Sequence, residues 1–270
     1  MPKVQVGNIN MYYEVHGEGE PLILIQGLAG PSRAWFFQTR AFKKHYQVIV
    51  FDNRGIGKTD KSPEPYSAKT MADDTLGLMD HLGIDRAHVL GMSLGSLVAQ
   101  ELAINYPQRL RKLILAMAIT GRQGRSDVHP EMLRAFGTEE GATDIDHRSV
   151  DFSKVMGAVV SLAFNKRLYR MVHVPLAKLL VKRINVDGYI DQMETIAADS
   201  PLDRVHLIQA STLLLTGTGD RLVSPSQSEL LASKIPNAKL VKVEGASHAF
   251  FLEMHSRFNK EVLDFLRESQ

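Results

Sequence analysis

The chain has 270 residues, 44% of them hydrophobic, which is enough to bury a large core in one domain or one and a half. The chain has 32 Lys and Arg and 30 Asp and Glu. This near-neutral balance gives no electrostatic reason to expect binding to nucleic acid or to an anionic membrane. Because the chain contains no cysteine, disulfides, thiolate metal sites and a cysteine nucleophile are excluded, which suits a reducing compartment.

The N-terminal segment alternates between polar and apolar residues and turns at Gly7-Asn8, unlike the continuous apolar core of a secretory signal. Apolar runs elsewhere fall short of the roughly 18 residues that a bilayer span requires. We therefore expect a cytoplasmic protein without membrane insertion.

The first part of the chain predicts strands that alternate with helices. Residues 3–15 predict a hairpin that turns at Gly7-Asn8. Short, wholly apolar runs are typical of strands buried on both faces, and stretches with helical spacing separate them. Strands are predicted at 21–27, 46–52, 87–93 and 110–118, and helices at 31–45, 67–83 and 94–106.

The same alternation returns near the C-terminus, with strands predicted at 211–220 and 238–245 and helices at 224–235 and 255–268. Strands and helices at this spacing predict an α/β fold with a mostly parallel, doubly wound sheet and helices on both faces. We expect residues 1–118 and 202–270 to form this core domain.

The alternation stops between residues 119 and 201, which predicts a helical insertion between two strands of the sheet. Within it, residues 153–164 have helical spacing, and residues 165–183 contain six Lys or Arg and no acid. The basic stretch is compatible with a membrane-surface helix or with a helix that has one solvated face and one packed face. Pro175 interrupts its pattern and favours the second interpretation.

A serine stands between two glycines in Gly91-Met92-Ser93-Leu94-Gly95, where a buried strand is predicted to turn into a helix. This G-x-S-x-G pattern in this setting is typical of a nucleophile elbow. Such a turn strains the serine backbone, raises its hydroxyl above the sheet edge and places the helix N-terminus, with its free N–H groups, beneath it. The alternative is a glycine-rich turn with an incidental serine.

A serine hydroxyl is a poor nucleophile unless a base takes its proton. Asp220 and His248 each follow a predicted strand, at the edge where doubly wound sheets place their sites. Together with Ser93 they have the chain order Ser, Asp, His that this architecture uses. Each alone is ambiguous, since aspartate often forms turns and histidine often lies at the surface. No histidines have H-x-x-x-H or H-E-x-x-H spacing, so we expect neither a metal nor another cofactor.

A carbonyl under attack also needs donors for its developing negative charge. One is expected to be the backbone N–H of Leu94, directly after the serine, and the other the backbone N–H of Leu28 in the loop 26–31. The alternative for that loop is a plain glycine-rich connection from strand to helix.

These residues resemble the α/β-hydrolase family, in particular its esterase and 3-oxoadipate enol-lactonase branch. The resemblance implies a nucleophile at Ser93, its partners at Asp220 and His248, an oxyanion hole at Leu28 and Leu94, and a cap at residues 119–201. Supporting positions would be Gln26, Gly27, Gly91 and Gly95. The stretches that carry the resemblance are HGEGEPLILIQGLAG, VIVFDNRGIGKTD, HVLGMSLGSLVAQELAINYPQRLRKLIL, GTGDRLVSP and EGASHAFFLE.

The chain departs from the family pattern at two places. Gln26-Gly27 stands where the family often has His-Gly, and Gly95-Ser96 where it often has Gly-Gly. Gln26 can still donate a hydrogen bond, so the loop is expected to be held differently, while the extra hydroxymethyl group of Ser96 tightens the packing of strand and helix. The segment 52–60 resembles a turn that is chiefly structural in the family.

The predicted function is hydrolysis of small to medium carboxylic esters or lactones through an acyl-enzyme on Ser93, with a small-molecule substrate as partner. Serine at the elbow argues against the aspartate-nucleophile dehalogenases and epoxide hydrolases. Two alternatives stay open. The same triad supports carbon–carbon bond hydrolysis or perhydrolysis, and a receptor or sensor can keep such a pocket without turnover.

Overall fold

The computed structural model describes residues 2–62, 64–122, 129–135, 151–167, 169, 171 and 185–268. Eight strands in the described residues form one sheet, ordered β1-β2-β4-β3-β5-β6-β7-β8. Strands β1, β2 and β4 pair antiparallel, and the remaining pairs are parallel. The predicted α/β class with a mostly parallel sheet is confirmed. The strands are β1 Lys3–Val6, β2 Ile9–His16, β3 Glu20–Ile25, β4 Tyr46–Phe51, β5 Ala87–Met92, β6 Leu110–Ala116, β7 Ser211–Gly217 and β8 Ala238–Val243.

Helices of the described residues lie mostly where helical spacing predicts them. The predicted helix 31–45 is divided, because a 3₁₀ turn at Ser32–Trp35 precedes the α-helix. The hydroxyl of Ser67 accepts a hydrogen bond from the Thr70 N–H and caps its helix, as predicted. The helices are α1 Phe36–Phe42, α2 Ala68–His81, α3 Leu94–Asn105, α4 Pro130–Ala135, α5 Phe152–Ala163, α6 Val186–Ala198, α7 Pro225–Lys234, α8 Phe250–Glu253 and α9 His255–Arg267.

The core lies on both faces of the sheet, because alternate side chains of each parallel strand enter different apolar clusters. In β3, Leu22 and Leu24 join the cluster around α1 and α9, whereas Ile23 and Ile25 join the cluster around α2 and α3. All six residues of β5 are buried. The sheet is therefore covered on both sides, and its loops at the carboxyl ends of the strands remain available for a site.

The insertion between β6 and β7 contributes helices α4, α5 and α6. Its two ends meet, since the Arg122 N–H donates to the Asp199 carbonyl at 2.9 Å and the Ser200 hydroxyl donates to the Thr120 carbonyl at 2.9 Å. Helix α5 matches the helical pattern at 153–164, whereas α4 and α6 were not predicted. Most of the basic segment 165–183 lies outside the described residues. Within the described ranges, no helix combines the length and apolar character that a membrane span requires.

Candidate active site

Ser93 lies at the tip of a sharp turn between β5 and α3, with φ 53° and ψ −121°. The two flanking glycines are required by close backbone contacts. A Cβ atom on Gly91 would lie 2.2 Å from the carbonyl oxygen of Gly95, and one on Gly95 would lie 2.2 Å from the carbonyl oxygen of Ile25. The G-x-S-x-G pattern therefore corresponds to a strand-to-helix turn, as predicted, and Ser93 in this turn is half-buried.

Hydrogen bonds from outside the motif hold this turn. The Ser93 N–H donates to the carbonyl of Ala116, at the end of the neighbouring strand β6. The Ser96 hydroxyl donates to the Ser93 carbonyl at 2.6 Å and accepts from the Ile119 N–H at 3.1 Å. The residue that departs from the family's Gly-Gly therefore ties the turn to the chain just beyond β6, a role that the sequence pattern did not reveal.

His248 and Asp220, in the loops after β8 and β7, are hydrogen-bonded through Nδ1 and Oδ2 at 2.7 Å. Both residues are buried, with 5% and 7% of their surface exposed. The second carboxylate oxygen of Asp220 accepts from the N–H groups of Leu222 and Val223, each at 2.9 Å. A carboxylate can only accept, so in a neutral imidazole the contact between His248 and Asp220 places the proton on Nδ1 and the lone pair that a base requires on Nε2.

The loops that carry Asp220 and His248 are bonded to each other and to the insertion. The Gly219 N–H donates to the Ala246 carbonyl at 3.0 Å. The side-chain amide of Asn165, which follows α5, donates to the carbonyls of Gly219 at 3.0 Å and Gly245 at 3.2 Å. Asn165 therefore bridges the two loops from the insertion, although nothing in the local sequence pattern singles it out.

The loop after β3, residues 26–30, lies directly against the serine. A Cβ atom on Gly27 would be 3.1 Å from Cβ of Ser93. Among the described residues, the N–H groups of Leu28 and Leu94 have no hydrogen-bond partner. Two unpaired backbone N–H groups, at the residues predicted to form the oxyanion hole, therefore lie on segments next to Ser93, and their role there stays a prediction.

Side-chain oxygens of two glutamines accept hydrogen bonds from two other N–H groups of this loop. Oε1 of Gln26 accepts from the Gly27 N–H at 2.8 Å, and Oε1 of Gln192, on helix α6, accepts from the Ala29 N–H at 2.9 Å. The Gly30 N–H donates to the Gly27 carbonyl. Leu28 is left as the residue whose N–H is available, and Gln192 contributes to this arrangement from a helix that the sequence analysis did not identify.

Gln26 is held by the segment 52–60, in which the Asn53 side-chain amide donates to the Gln26 carbonyl at 3.0 Å. In the same segment, Arg54 forms a buried, bidentate ion pair with Asp74 at 2.6 and 2.7 Å. These contacts give the segment a supporting role for the β3 loop, in keeping with the structural role expected for it.

Backbone strain concentrates at this edge of the sheet. Among the described residues other than glycine, positive φ angles occur at Ala29 (54°), Ser93 (53°) and Met117 (44°), just beyond β3, β5 and β6. Such conformations are costly and persist where the surrounding structure enforces them, often at functional sites. Three neighbouring strands therefore end in strained residues at the same edge of the sheet.

The insertion places an apolar cluster over this edge. The buried members are Met132, Val155, Ala158, Leu162 and Tyr189. Leu28 from the β3 loop and Leu222 from the Asp220 loop pack against them. Met156 and Met193 of the insertion pack on this cluster, whereas Val160 and Phe164 pack with the sheet core. Met171 is 62% exposed, and Phe136 lies outside the described residues.

The described ranges contain no group of three or more His, Cys, Asp or Glu side chains that could hold a metal ion. The loops after β3, β5, β7 and β8 carry instead a serine hydroxyl, an imidazole bonded to its carboxylate, and backbone N–H donors. This is the set of groups that acyl transfer to serine uses. Within the described residues, the Ser93 hydroxyl and His248 are not joined by a hydrogen bond.

The family model described as "alpha/beta hydrolase fold" matches residues 20–254, most of the chain. The chain belongs to the α/β-hydrolase family. The match begins at the first residue of β3 and extends past His248, so it includes every residue of the site described above.

This α/β hydrolase is similar to proteins of several hydrolytic activities. It is 32% identical to RutD of Stutzerimonas stutzeri, provisionally assigned as a carbamate hydrolase, over 96% of this chain and 97% of that one. The enol-lactonase of Burkholderia xenovorans LB400 superposes with a TM-score of 0.83 at 25% identity, covering 99% and 100% of the two chains. Est816, an N-acyl homoserine lactone degrading enzyme, has a TM-score of 0.84 at 28% identity, covering 98% and 100%.

Proposed function

We propose that this α/β hydrolase cleaves small to medium carboxylic esters or lactones, with Ser93 as nucleophile, His248 as base and Asp220 as its orienting carboxylate. The 2.7 Å hydrogen bond between His248 and Asp220, at the edge where the strained turn presents Ser93, carries the proposal. The similarity to an enol-lactonase and to a lactone-degrading enzyme supports this substrate class.

In the first half of the proposed reaction, Nε2 of His248 accepts the proton of the Ser93 hydroxyl as the serine oxygen attacks the substrate carbonyl. The N–H groups of Leu28 and Leu94 bind the oxygen that becomes negative. The carbon–oxygen bond to the alcohol then breaks, and the alcohol departs with the proton from His248. An acyl ester on Ser93 remains.

In the second half, a water molecule gives a proton to His248 and its oxygen attacks the acyl carbonyl. The bond to Ser93 breaks, the serine oxygen recovers the proton, and the carboxylic acid is released. Asp220 stabilises the imidazolium in both halves. With a lactone, the alcohol and acid parts of the product stay in one molecule, and the steps are the same.

Carbamates are a second candidate substrate class, because of the similarity to RutD. A carbamate carbonyl is attacked by the same nucleophile and bound by the same donors. A carbon–carbon bond hydrolase or a perhydrolase would also use these side chains, whereas a receptor would bind ligand without turnover.

The test is a panel of p-nitrophenyl esters, lactones, carbamates and vinylogous diketones, combined with a fluorophosphonate probe whose site of attachment is located by mass spectrometry. We expect multiple turnovers of esters or lactones and attachment of the probe at Ser93. Ser93→Ala should lose both ester turnover and probe attachment. Ser233→Ala, at an exposed serine of helix α7, should retain both. Ligand-dependent shifts of Tm without turnover, or attachment elsewhere, would contradict the proposal.

A further inference from the structure

Helix α6 brings two buried polar side chains, Tyr189 and Gln192, to the same side of the insertion. They are separated by three positions, about one helical turn, and are 2% and 0% exposed. Gln192 has a defined orientation, because the Ala29 N–H donates to Oε1 at 2.9 Å and Nε2 is therefore the atom directed elsewhere.

Both side chains retain an unused donor. Within the part of the chain that the structure describes, neither the Tyr189 hydroxyl nor Nε2 of Gln192 has a hydrogen-bond partner, and both atoms are buried. A buried donor without a partner destabilises the folded state, so most buried polar atoms in proteins are paired. Two such donors on one helix are explained if another molecule supplies the acceptor.

These donors lie next to the candidate active site. Gln192 contacts the β3 loop, whose Gly27 lies against Ser93. The apolar cluster that contains Tyr189 packs against both Leu28 and Leu222. The Leu222 N–H in turn donates to Asp220. The cluster therefore spans the edge from the β3 loop to the Asp220 loop, and a substrate bound at Ser93 would lie beneath it.

The surroundings of Tyr189 indicate which acceptor fits. Its ring packs edge-on against Phe152, with centroids 4.7 Å apart, inside an apolar cluster. Burial raises the pKa of the Tyr189 hydroxyl, and no charged group contributes to the shift. The hydroxyl is therefore a neutral donor in a neutral environment. An uncharged carbonyl oxygen suits this environment, whereas a carboxylate would be buried without a cation.

We propose that the Tyr189 hydroxyl and the Gln192 side-chain amide donate hydrogen bonds to a second, uncharged carbonyl oxygen on the acyl part of the substrate. This inference rests on the proposed function and narrows its substrate class to oxo-acyl esters or lactones. The enzyme would prefer them to unsubstituted acyl groups of the same length, because a site built to bond an oxygen discriminates against an analogue that lacks it.

The test compares p-nitrophenyl 4-oxohexanoate and 5-oxohexanoate with p-nitrophenyl hexanoate, after subtraction of spontaneous hydrolysis. We expect kcat/KM for at least one oxo ester to exceed that for hexanoate by tenfold or more. Tyr189→Phe should abolish this ratio by lowering kcat/KM for the oxo ester, and its Tm should be unchanged or higher, because the hydroxyl it removes is unpaired. Gln192→Glu keeps an oxygen acceptor for the Ala29 N–H but removes the side-chain amide, so it should also lower the ratio of kcat/KM for the oxo ester to kcat/KM for hexanoate.

Tyr66→Phe is the matched control. Unlike the Tyr189 hydroxyl, the Tyr66 hydroxyl has hydrogen-bond partners, because it donates to the carbonyls of Arg54 and Gly188 at 3.4 Å, and Gly188 lies on the same helix α6. Tyr66→Phe should leave the ratio unchanged. The inference is overturned if the wild type shows no preference for either oxo ester, or if Tyr189→Phe lowers both rates equally together with Tm.

Binding without turnover separates this inference from the proposed function. In a Ser93→Ala background, ethyl 4-oxohexanoate or ethyl 5-oxohexanoate should raise Tm more than ethyl hexanoate does, and Tyr189→Phe should remove the difference. That result supports the donor site even if no ester is hydrolysed. Equal shifts with all three esters would refute it even if Ser93 is the nucleophile.

Discussion

Gln192 accepts a hydrogen bond from the backbone N–H of Ala29, 163 residues earlier in the chain, and thereby joins helix α6 to the loop beside Ser93. The loop is strained at Ala29 (φ 54°), so it depends on contacts from outside to keep its shape. The neighbouring residue Leu28 has a backbone N–H without a partner among the described residues.

Replacing Gln192 by Met, which has a similar volume but no strong acceptor, should lower kcat for every ester by tenfold or more. The reason is that the Ala29 N–H loses its partner and the Leu28 N–H loses its alignment. Steady-state kinetics on p-nitrophenyl acetate and hexanoate measure the effect. Equal kcat in Gln192→Met and wild type would disprove the positioning role.

Two substitutions at Ser93 separate catalysis from strain. Ser93→Ala should lower kcat on the order of a millionfold and leave Tm nearly unchanged, because the backbone keeps a Cβ atom in the same strained conformation. Ser93→Gly should lose the same activity but raise the free energy of unfolding by about 1 kcal/mol, because glycine adopts a positive φ without strain. Urea denaturation of the three proteins tests the difference, and a less stable Ser93→Gly would mean that the turn is not strained.

Asp220→Asn should lower kcat on the order of 10⁴-fold, since the imidazole loses the charge that orients it and stabilises its protonated form. The substitution also places an NH₂ group among donors, because Asp220 accepts from His248 and from the N–H groups of Leu222 and Val223. The measurement is single-turnover kinetics with p-nitrophenyl acetate. A decrease in kcat smaller than tenfold would show that Asp220 does not orient the catalytic base.

Stability should fall on the acid side of neutrality because of His88, far from the candidate active site. Burial lowers the pKa of His88 from its ordinary value of 6.5, against the opposing effect of the Glu20 carboxylate 3.1 Å away. Because the pKa of His88 is lower in the folded protein, the unfolded chain takes up the proton first as pH falls. The contribution of His88 to the free energy of unfolding is therefore fully present above about pH 6.5 and is lost progressively below it.

His88→Gln should remove this component. The free energy of unfolding of the wild type should decline more steeply below pH 6.5 than that of the variant, by at most about 1.4 kcal/mol per pH unit. Urea denaturation at several pH values from 7.5 to 5 measures it. His206→Gln, at an exposed histidine, is the control and should reproduce the wild-type slope, whereas parallel slopes for wild type and His88→Gln would show that burial of His88 has no such effect.

The apolar cluster of the insertion should select plain acyl chains by length. Each added methylene buried against Met132, Met156 or Met193 should contribute about 0.8 kcal/mol, roughly fourfold in kcat/KM. We expect kcat/KM to rise from acetate to about hexanoate and then to decrease where the enclosed space ends. A p-nitrophenyl ester series measures this, and a strict preference for acetate or a rise out to palmitate would show that no medium-sized apolar pocket is present.

Much of the fold could be predicted because its signals are local. Apolar runs predicted the parallel strands, and helical spacing with caps such as Ser67 predicted most of the long helices, although not α6. The antiparallel pairing of β2 with β4 and the short helix directly after His248 could not be predicted, since neither has a distinctive pattern along the chain.

The candidate site divides in the same way. Ser93, Asp220 and His248 follow strands in the order that the fold requires, so the sequence pattern pointed to them, and their roles stay predictions until the variants are measured. Gln192, Tyr189 and Asn165 have ordinary local surroundings, and their importance arises from contacts with residues distant in the chain. Only a three-dimensional arrangement reveals such residues.

The bridge made by Asn165 limits how this enzyme can be re-engineered. Swapping the insertion for that of a relative is an attractive way to graft new selectivity, because the ends of the insertion lie side by side. Here the transplant would also remove the amide that clamps Gly219 to Gly245 and the glutamine that supports Ala29. A chimera should therefore keep both amides. A chimera without them would carry the new insertion but lose the contacts that hold the Gly219, Gly245 and Ala29 loops in place.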